Sequence, residues 1–254
     1  MTETPIFPGR LGLQQRVLPD YRVPFFDQLA RACQEGFSLF AGQPRASEAI
    51  KTAESLEAGQ LAQARNRHFL RGPLYLCYQP GILDWLEEWR PDALVVEANS
   101  RYPDNRRAID WMHARGRPVL GWGLGAPPLA GPLAAVRQGL RLRFLSQLDG
   151  VIAYSQRGAD EYRALGIPAE KVFVAHNAAA RRPASLPPER PERSGRASVL
   201  FVGRLQARKR LEMLFEACAA LPESLQPDLV VIGDGPARGA VSYTHLTLPT
   251  KRIV

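Results

Sequence analysis

The sequence predicts an α/β protein in which a complete doubly wound parallel sheet is followed by the first β-α-β unit of a second one. Three observations support this: apolar and amphipathic segments alternate over residues 10–180, the stretch 181–197 is rich in Pro, Arg and Ser, and the alternation then restarts. Continuous apolar strands separated by helices indicate a parallel sheet covered on both faces. We therefore expect a domain over 1–180, a linker over 181–197 and the start of a second domain over 198–240.

The strands of the first domain are predicted from short apolar runs, which lie at Leu11–Leu18, Phe37–Gly42, Pro73–Tyr78, Ala93–Ala98, Arg117–Gly123, Val151–Ser155 and Lys171–Asn177. Its helices are predicted from amphipathic segments that mostly end near a Gly or Pro, at Phe25–Gly36, Gly81–Asp92, Asp104–Gly116, Leu133–Gly150 and Gly158–Gly166. Asp104 is the expected N-cap of its helix. The polar, Ala-rich region Ser47–Arg67 is either a helix or a mobile loop.

The second domain opens with a strand at Ser198–Leu205, a helix at Leu211–Leu221 and a strand at Asp228–Gly235. The first strand delivers Gly203 and Arg204, and Lys209 follows where the helix is expected to begin. Ligands of α/β sheets bind at the carboxyl ends of strands, beside helix N-termini. Arg204 and Lys209 suit a diphosphate there. The alternative is that Arg204 pairs with a surface carboxylate and Lys209 is solvated.

Charge and composition limit the classes of partner. The 254 residues carry 33 basic and 25 acidic side chains, a net charge of +8, and nearly all the basic residues are arginine. This surplus indicates a phosphorylated ligand, an anionic membrane surface or nucleic acid, unless it only reflects arginine-rich codon usage and a solvated surface. Nucleic acid is disfavoured because the basic residues are dispersed and no recognition motif accompanies them.

Cysteines and apolar runs indicate where the protein acts. The three cysteines are far apart, so neither a zinc site nor a disulfide framework is indicated. No apolar run reaches about 18 residues, and the N-terminus lacks the apolar core of a signal peptide. We expect a cytoplasmic protein.

The stretches SVLFVGRLQARKRLEMLFEA and DLVVIGDGPARG resemble the donor domain of the retaining glycosyltransferases of family 4 (group 1 type), which have the GT-B architecture of two Rossmann-like domains. Arg210 replaces the glycine that usually follows the lysine of the motif. Residues 142–179 and 14–30 are similar to parts of the acceptor domain of that family. The matching motif residues are Gly203, Arg204, Leu205, Lys209, Gly233, Asp234, Gly235 and Pro236.

The resemblance implies a UDP- or GDP-sugar as donor, with its diphosphate against Gly203, Arg204 and Lys209 and the turn Gly233–Gly235 nearby. It implies transfer with retention to a glycan or lipid-linked acceptor, in bacterial envelope polysaccharide or glycolipid synthesis. It implies no cofactor and no metal, in agreement with the lack of an Asp-x-Asp motif. The glutamate pair of the family has no counterpart here, so we assign no catalytic residue and expect residues 1–254 alone to be inactive in transfer.

The acceptor cleft is expected at the strand ends of the first domain. Leu124 stands where many family members have a histidine. Other candidates are Glu97, Asn99 and Ser155, which instead cap helices in the alternative interpretation, and Tyr21, Arg22 and His176. For Tyr21 and Arg22 the alternative is a loop packed around Phe25 and Phe26. His113 is expected to be a surface or packing residue.

Two other functions remain open. One is a non-catalytic nucleotide-binding protein, which Leu124 in place of histidine favours. The other is a sugar-nucleotide epimerase or phosphorylase on the same architecture. The helix over 133–148 places Arg137, Arg141 and Arg143 among apolar residues, which suits peripheral membrane contact or, alternatively, a core helix with a solvated basic face.

The last fourteen residues, VSYTHLTLPTKRIV, do not continue the family pattern. Their threonines and proline disfavour the helix expected after Gly235. They resemble the translation of a transposon-end adapter used in DNA library preparation. We expect 241–254 to be non-native rather than a divergent natural tail.

Overall fold

The computed structural model describes residues 6–48, 50–131, 133–177, 185–186, 189, 196–239 and 251–253. The chain divides into two compact units. The first unit comprises Met1–Pro44 and Lys51–Arg182, and the second comprises Pro183–Val254 with the short segment Arg45–Ile50. Most of the predicted linker, and of the tail after Gly239, lies outside the described residues.

The first unit alternates strands and helices along the chain. Its elements are β1 (Leu11–Val17), α1 (Val23–Arg31), β2 (Phe37–Gly42), β3 (Gln60–Gln63), β4 (Arg67–Phe69), β5 (Leu76–Tyr78), α2 (Ile82–Trp89), β6 (Ala93–Glu97), α3 (Asp104–His113), β7 (Val119–Gly123), α4 (Ala134–Leu145), β8 (Gly150–Ala153), α5 (Gln156–Ala164) and β9 (Val172–Val174). The second unit contributes β10 (Ser198–Val202), α6 (Leu211–Ala219), β11 (Asp228–Ile232) and β12 (Lys251–Ile253).

Seven strands of the first unit form one sheet in the order β3-β2-β1-β6-β7-β8-β9. Every neighbouring pair in it is parallel. The chain runs outward from β1 in one direction through β2 and β3, then returns to β6 and continues on the other side. The order therefore reverses between β1 and β6, which is the ligand-binding position of a doubly wound sheet. The predicted fold class is confirmed.

Both faces of this sheet are covered, as the apolar strands predicted. Alternate residues of a strand point to opposite faces. On β2, Phe37 and Leu39 pack in a core with Phe26 of α1, whereas Phe40 packs in a second core with Trp85 of α2. The indole of Trp85 donates to the Ser38 hydroxyl at 2.9 Å, which satisfies two polar groups inside an apolar layer.

Two predictions between β2 and α2 need correction. The region Ser47–Arg67, expected to be either a helix or a mobile loop, contains the strand β3, which pairs with β2 at the sheet edge. Only one side of an edge strand pairs, and the sequence QLAQ is too polar and too short to be recognised as a strand. The run Pro73–Tyr78 does form a strand, β5, but it pairs antiparallel with β4 in a separate two-stranded sheet.

The predicted N-cap of α3 is also wrong. Asp104 is the first helical residue, the cap position is Pro103, and no side chain caps the helix. The Asp104 carboxylate instead accepts a hydrogen bond from the backbone N–H of Gln79 at 2.7 Å. The carboxylate that was expected to cap the helix therefore accepts from a backbone N–H that is distant in the sequence.

The second unit contains a short parallel sheet. β10 pairs with β11 from Ser198↔Asp228 to Val202↔Ile232, and α6 packs on one face in a small core of Leu205, Leu211, Phe215, Leu229 and Val231. β12 pairs parallel with β11. It lies in the segment that we expected to be non-native and excluded from the fold, so three residues of that segment do extend this sheet.

The longest helix in the described part of the chain, α4, has 12 residues. A bilayer-spanning helix needs about 20 residues. No helix of the described residues is long and apolar enough to cross a membrane.

Candidate functional site

In the second unit, the loops after β10 and β11 lie side by side and are joined by backbone hydrogen bonds. The N–H of Gly203 donates to the Ile232 carbonyl at 3.0 Å, and the N–H of Leu205 donates to the Asp234 carbonyl at 2.9 Å. The N–H of Ala237 donates back to the Leu205 carbonyl at 3.0 Å. The structure therefore brings Gly203, Arg204, Gly233, Asp234 and Gly235 together at one end of this sheet.

Glycine is required on one side of this pair of loops and not on the other. A Cβ on Gly233 would lie 1.9 Å from the Gly203 carbonyl oxygen, and a Cβ on Gly235 would lie 2.3 Å from that of Leu205. A Cβ on Gly203, in contrast, would meet only the Phe201 ring, at 3.5 Å or more. The packing of this unit thus explains Gly233 and Gly235, whereas the space above Gly203 is open.

The two basic side chains of the predicted phosphate site are uncommitted within the described residues. Arg204 is partly buried and Lys209 is exposed. Neither makes a hydrogen bond or an ion pair with a described residue, so the surface carboxylate suggested as a partner for Arg204 is not found among them. Asp234 has internal partners: its Oδ1 accepts from the Gly235 N–H at 2.8 Å and lies 3.6 Å from Arg238.

Lys209 was expected where the helix begins, and the structure places it just before the helix. Lys209 ends a 3-10 turn, Ala207–Lys209, and α6 begins two residues later at Leu211. The intervening Arg210 has φ 48° and ψ 48°, the left-handed conformation. This is the position where the family motif usually has glycine, which adopts that conformation without a steric penalty.

In the first unit, a network of polar side chains surrounds Glu97 at the switch point between β1 and β6. Glu97 Oε1 accepts from the Arg16 N–H at 2.7 Å, and the Glu97 N–H donates to Gln14 Oε1 at 3.1 Å. Burial raises the pKa of the Glu97 carboxyl, and hydrogen bonds from the Arg16 N–H and the Tyr102 hydroxyl, with the charges of Arg16 and Arg22, lower it by less.

Three buried amides extend this network, and sequence reasoning missed all of them. Gln14 donates through Nε2 to Gln79 Oε1 and accepts from Asn105 Nδ2 at 3.1 Å. Gln14 and Asn105 are almost fully buried, and so is Gln79. Gln14 and Gln15 stand side by side inside a buried strand, and that departure from the apolar pattern was the available signal.

Arg22, predicted for the acceptor cleft, is buried in an aromatic box, with 7% of its surface exposed. Its guanidinium carbon lies 4.8 Å from the Trp122 ring centroid, 5.4 Å from that of Phe25 and 5.5 Å from that of Phe26. These are cation–π distances. The alternative of a loop packed around the two phenylalanines thus describes Arg22, whereas the neighbouring Tyr21 is 57% exposed.

The remaining candidates for the acceptor cleft make no hydrogen bonds with one another in the described part of the chain. Ser155 caps α5 by accepting from the Gly158 N–H at 3.1 Å, as its alternative proposed. Asn99 Oδ1 accepts from the Arg101 N–H at 3.1 Å, within the turn before α3. Leu124 is 75% exposed after β7. His176 is exposed after β9, and its side chain makes no hydrogen bond with a described residue.

Three basic side chains on the surface of the first unit have partners within that unit. His113 Nε2 lies 3.0 Å from Asp149 Oδ2, so it is an exposed pairing residue. On α4, Arg137 and Arg141 donate to the carbonyls of Ala130 and Pro127, in the loop before the helix. Three apolar side chains are exposed on or next to α4: Leu133, Val136 and Leu140.

Within the described ranges, no three His, Cys, Asp or Glu side chains come together in a way that could hold a metal ion.

A family model described as Glycosyltransferase Family 4 matches residues 37–182, more than half of the chain. The chain belongs to glycosyltransferase family 4. The matched region lies in the first unit except for the short segment 45–50, and it does not include the Gly-Arg-Leu and Gly-Asp-Gly-Pro motifs of the second unit.

Solved structures show the same fold. An apo lipopolysaccharide outer core galactosyltransferase, WaaB, superposes with a TM-score of 0.60 at 18% identity, over 96% of this chain and 67% of its own. Anabaena Alr3699/HepE in complex with UDP-glucose gives 0.58 at 12% identity, over 97% and 68%. The family 4 chain thus spans about two thirds of the length of each of these two proteins. No curated protein sequence shows significant similarity to it.

Proposed function

We propose that the full-length protein is a retaining glycosyltransferase that transfers a sugar from a UDP- or GDP-sugar to a glycan or lipid-linked acceptor in bacterial envelope synthesis. The observation that supports this most directly is the pair of joined loops after β10 and β11. Arg204 lies in the first loop and Lys209 in the turn that follows it, and neither cation pairs with another described residue. Two cations without a partner among the described residues, following an open glycine in the chain, suit the diphosphate of a sugar nucleotide. The neighbour HepE was solved with UDP-glucose, and the similarity of fold agrees with such a donor.

The two cations also give the proposed chemistry. As the bond between sugar and diphosphate breaks, negative charge grows on the departing nucleoside diphosphate. Arg204 and Lys209 would stabilise that charge more strongly in the transition state than in the bound donor, which accelerates the reaction. In this proposal no metal or cofactor takes part, since the side chains supply the positive charge.

The acceptor is proposed to bind at the carboxyl edge of the first unit's sheet, where Tyr21 and Leu124 are exposed. A lipid-linked acceptor would bring the protein to the inner face of the plasma membrane. The α4 surface, with exposed Leu133, Val136 and Leu140 beside arginines, is a reasonable peripheral contact because apolar and basic groups together suit anionic lipid.

The test is release of nucleoside diphosphate from a panel of UDP- and GDP-sugars by the full-length protein, with and without bacterial glycan or lipid-linked acceptors. The proposal predicts release that depends on one donor and one acceptor. Absence of release from every donor would overturn the transferase assignment. Residues 1–254 alone are expected to bind nucleotide without transfer, and turnover by them would contradict that expectation.

A second candidate is a non-catalytic nucleotide-binding protein of the same fold. Leu124 favours it, because an apolar, exposed side chain occupies the position where many family members have histidine. Nucleotide binding without release of nucleoside diphosphate by the full-length protein would support this candidate. Substrate-dependent release would exclude it.

A further inference from the structure

A cavity of about 390 Å³ lies between the β4–β5 hairpin and the first turn of α3, within the first unit. None of the residues predicted from the sequence for the donor or acceptor site lines it. Its size falls in the range of small-ligand sites, about 300–1,000 Å³. The lining side chains are Arg67, Phe69, Tyr78, Pro80, Pro103, Asp104 and Arg107.

The hairpin presents one cation and two aromatic rings on a single face. Arg67 pairs directly with Tyr78 across the antiparallel strands, so both side chains project to the same side. Phe69, two residues after Arg67, shares that side. The rings of Phe69 and Tyr78 meet edge to face, with centroids 5.3 Å apart. The hairpin therefore builds an apolar wall with a guanidinium beside it.

The charges on the lining leave one cation without a counterion. Asp104 carries the acidic group, and its two oxygens are engaged: Oδ2 accepts from the Gln79 N–H at 2.7 Å, and Oδ1 lies 3.8 Å from Arg107. Arg67 makes no ion pair or hydrogen bond with any described residue. Because two arginines face one engaged carboxylate, the cavity has an unbalanced positive charge that suits an anion.

The cavity is also at the ligand-binding end of the sheet. α3 follows β6, so its first turn lies at the carboxyl edge, where doubly wound folds bind their ligands. Asp104 and Arg107 belong to that first turn. The cavity is therefore on the edge where the proposed function places the acceptor.

We propose that this cavity binds an anionic sugar unit of the acceptor, a pyranose that carries a carboxylate or a phosphate. The anionic group pairs with the Arg67 guanidinium, with Arg107 alongside, and the C–H face of the ring lies against Phe69 and Tyr78. An uncharged sugar would leave Arg67 unpaired, and a bare anion would leave the aromatic wall uncovered. This inference rests on the proposed function, since it defines the acceptor of that reaction.

The experiment is a titration of the 254-residue chain, followed by ligand-observed NMR, with glucuronate, glucose 6-phosphate, glucose and inorganic phosphate. The expected result is that at least one of the two anionic sugars binds about tenfold or more tightly than both glucose and phosphate. Glucose lacks the charge-assisted hydrogen bond to Arg67, and phosphate lacks the ring that contacts Phe69 and Tyr78. Preference for glucuronate or glucose 6-phosphate identifies the anionic group. Equal binding of all four probes, or binding of phosphate alone, would overturn the proposal.

Matched variants assign the binding to the cavity. Arg67→Ala is expected to weaken binding of the preferred anionic sugar about tenfold, whereas Arg65→Ala, which removes the same charge two residues away and outside the cavity, leaves it unchanged. Tyr78→Leu keeps the charge, removes an aromatic ring and is expected to weaken binding of the sugar more than that of phosphate. Equal effects of Arg67→Ala and Arg65→Ala would contradict the assignment.

A parallel titration with UDP and GDP separates this inference from the proposed function. Retained nucleotide binding with no binding of an anionic sugar refutes the cavity assignment alone. If the unmodified chain does not bind UDP or GDP, the result contradicts the proposed donor site instead. Arg67→Ala is expected to leave nucleotide binding unchanged, because Arg67 belongs to the first unit and the nucleotide is assigned to the second.

Discussion

At the scale of single residues, Glu97 is a carboxylate whose environment differs from that of a surface carboxylate. It lies beside buried amides at the switch point of the sheet, and burial raises its pKa. The raised pKa means that the folded chain holds this proton more tightly than the unfolded chain does. The protonated Glu97 carboxyl therefore makes its full contribution to the free energy of unfolding below the pKa of the unfolded chain, about 4.3. That contribution is lost as the pH rises through the pKa of Glu97 in the folded chain.

We predict that Glu97→Gln becomes more stable relative to the unmodified chain as the pH rises from about 4 to about 7.5. Glutamine keeps an oxygen to accept from the Arg16 N–H but never ionises. The measurement is the free energy of unfolding of both proteins in urea across this range. A difference that stays constant, or moves the other way, would show that Glu97 ionises without cost in the folded chain.

A second residue-scale prediction concerns Arg210. Its left-handed conformation costs a non-glycine residue about 1–2 kcal/mol. Glycine avoids this cost, but it loses more backbone entropy on folding, which offsets part of the gain. Arg210→Gly is therefore expected to stabilise the second unit by up to about 1 kcal/mol in thermal or urea unfolding. The control is Arg208→Gly in the preceding turn, where φ is not positive and glycine should be neutral or destabilising.

At the scale of elements, the joined loops after β10 and β11 depend on close backbone packing. Gly233→Ala places a methyl group where the Gly203 carbonyl oxygen lies, so the loops must separate. We expect a loss of roughly 2 kcal/mol or more in the unfolding of the second unit, with weaker nucleotide binding.

The matched control is Gly239→Ala, where a Cβ would meet nothing within 4 Å. It should leave both stability and nucleotide binding unchanged. Equal behaviour of the two alanine variants would show that the loop contact is not required.

The strands of the sheet show which elements a sequence can predict. The predicted bounds of β2, Phe37–Gly42, agree with the structure because all six residues are buried and most of them are apolar. β3 was missed because it lies at an edge and only Leu61 and Ala62 are partly buried. β5 was predicted as a strand, but its partner β4 was not, since pairing outside the main sheet leaves no local signal.

The candidate site was predictable where it depends on a motif and not where it depends on long-range contacts. The residues of the 203–205 and 233–235 loops follow apolar strands directly, so their proximity could be inferred. The network of Gln14, Gln79 and Asn105 joins residues 26 to 91 positions apart. The aromatic box around Arg22 likewise needs Trp122, 100 residues away, and no local pattern records that contact.

At the scale of the whole molecule, the family 4 match lies mainly in the first unit, and the loops that we propose to bind nucleotide lie in the second. The first unit buries a large core on both faces of seven strands. The second, in its described part, packs one helix on one face of β10 and β11, and Leu200 and Val202 of β10 stay exposed. We expect the second unit to unfold first on heating, because it buries much less apolar surface.

The central claim is that the second unit binds the nucleoside diphosphate through Arg204 and Lys209, and calorimetric titration of the chain with UDP and GDP tests it most directly. The account predicts saturable binding of one nucleotide, weakened about tenfold or more by Arg204→Ala and by Lys209→Ala. Arg208→Ala, which removes an exposed charge from the same turn, should have little effect. Binding that is absent, or equal in all three variants, would contradict the account.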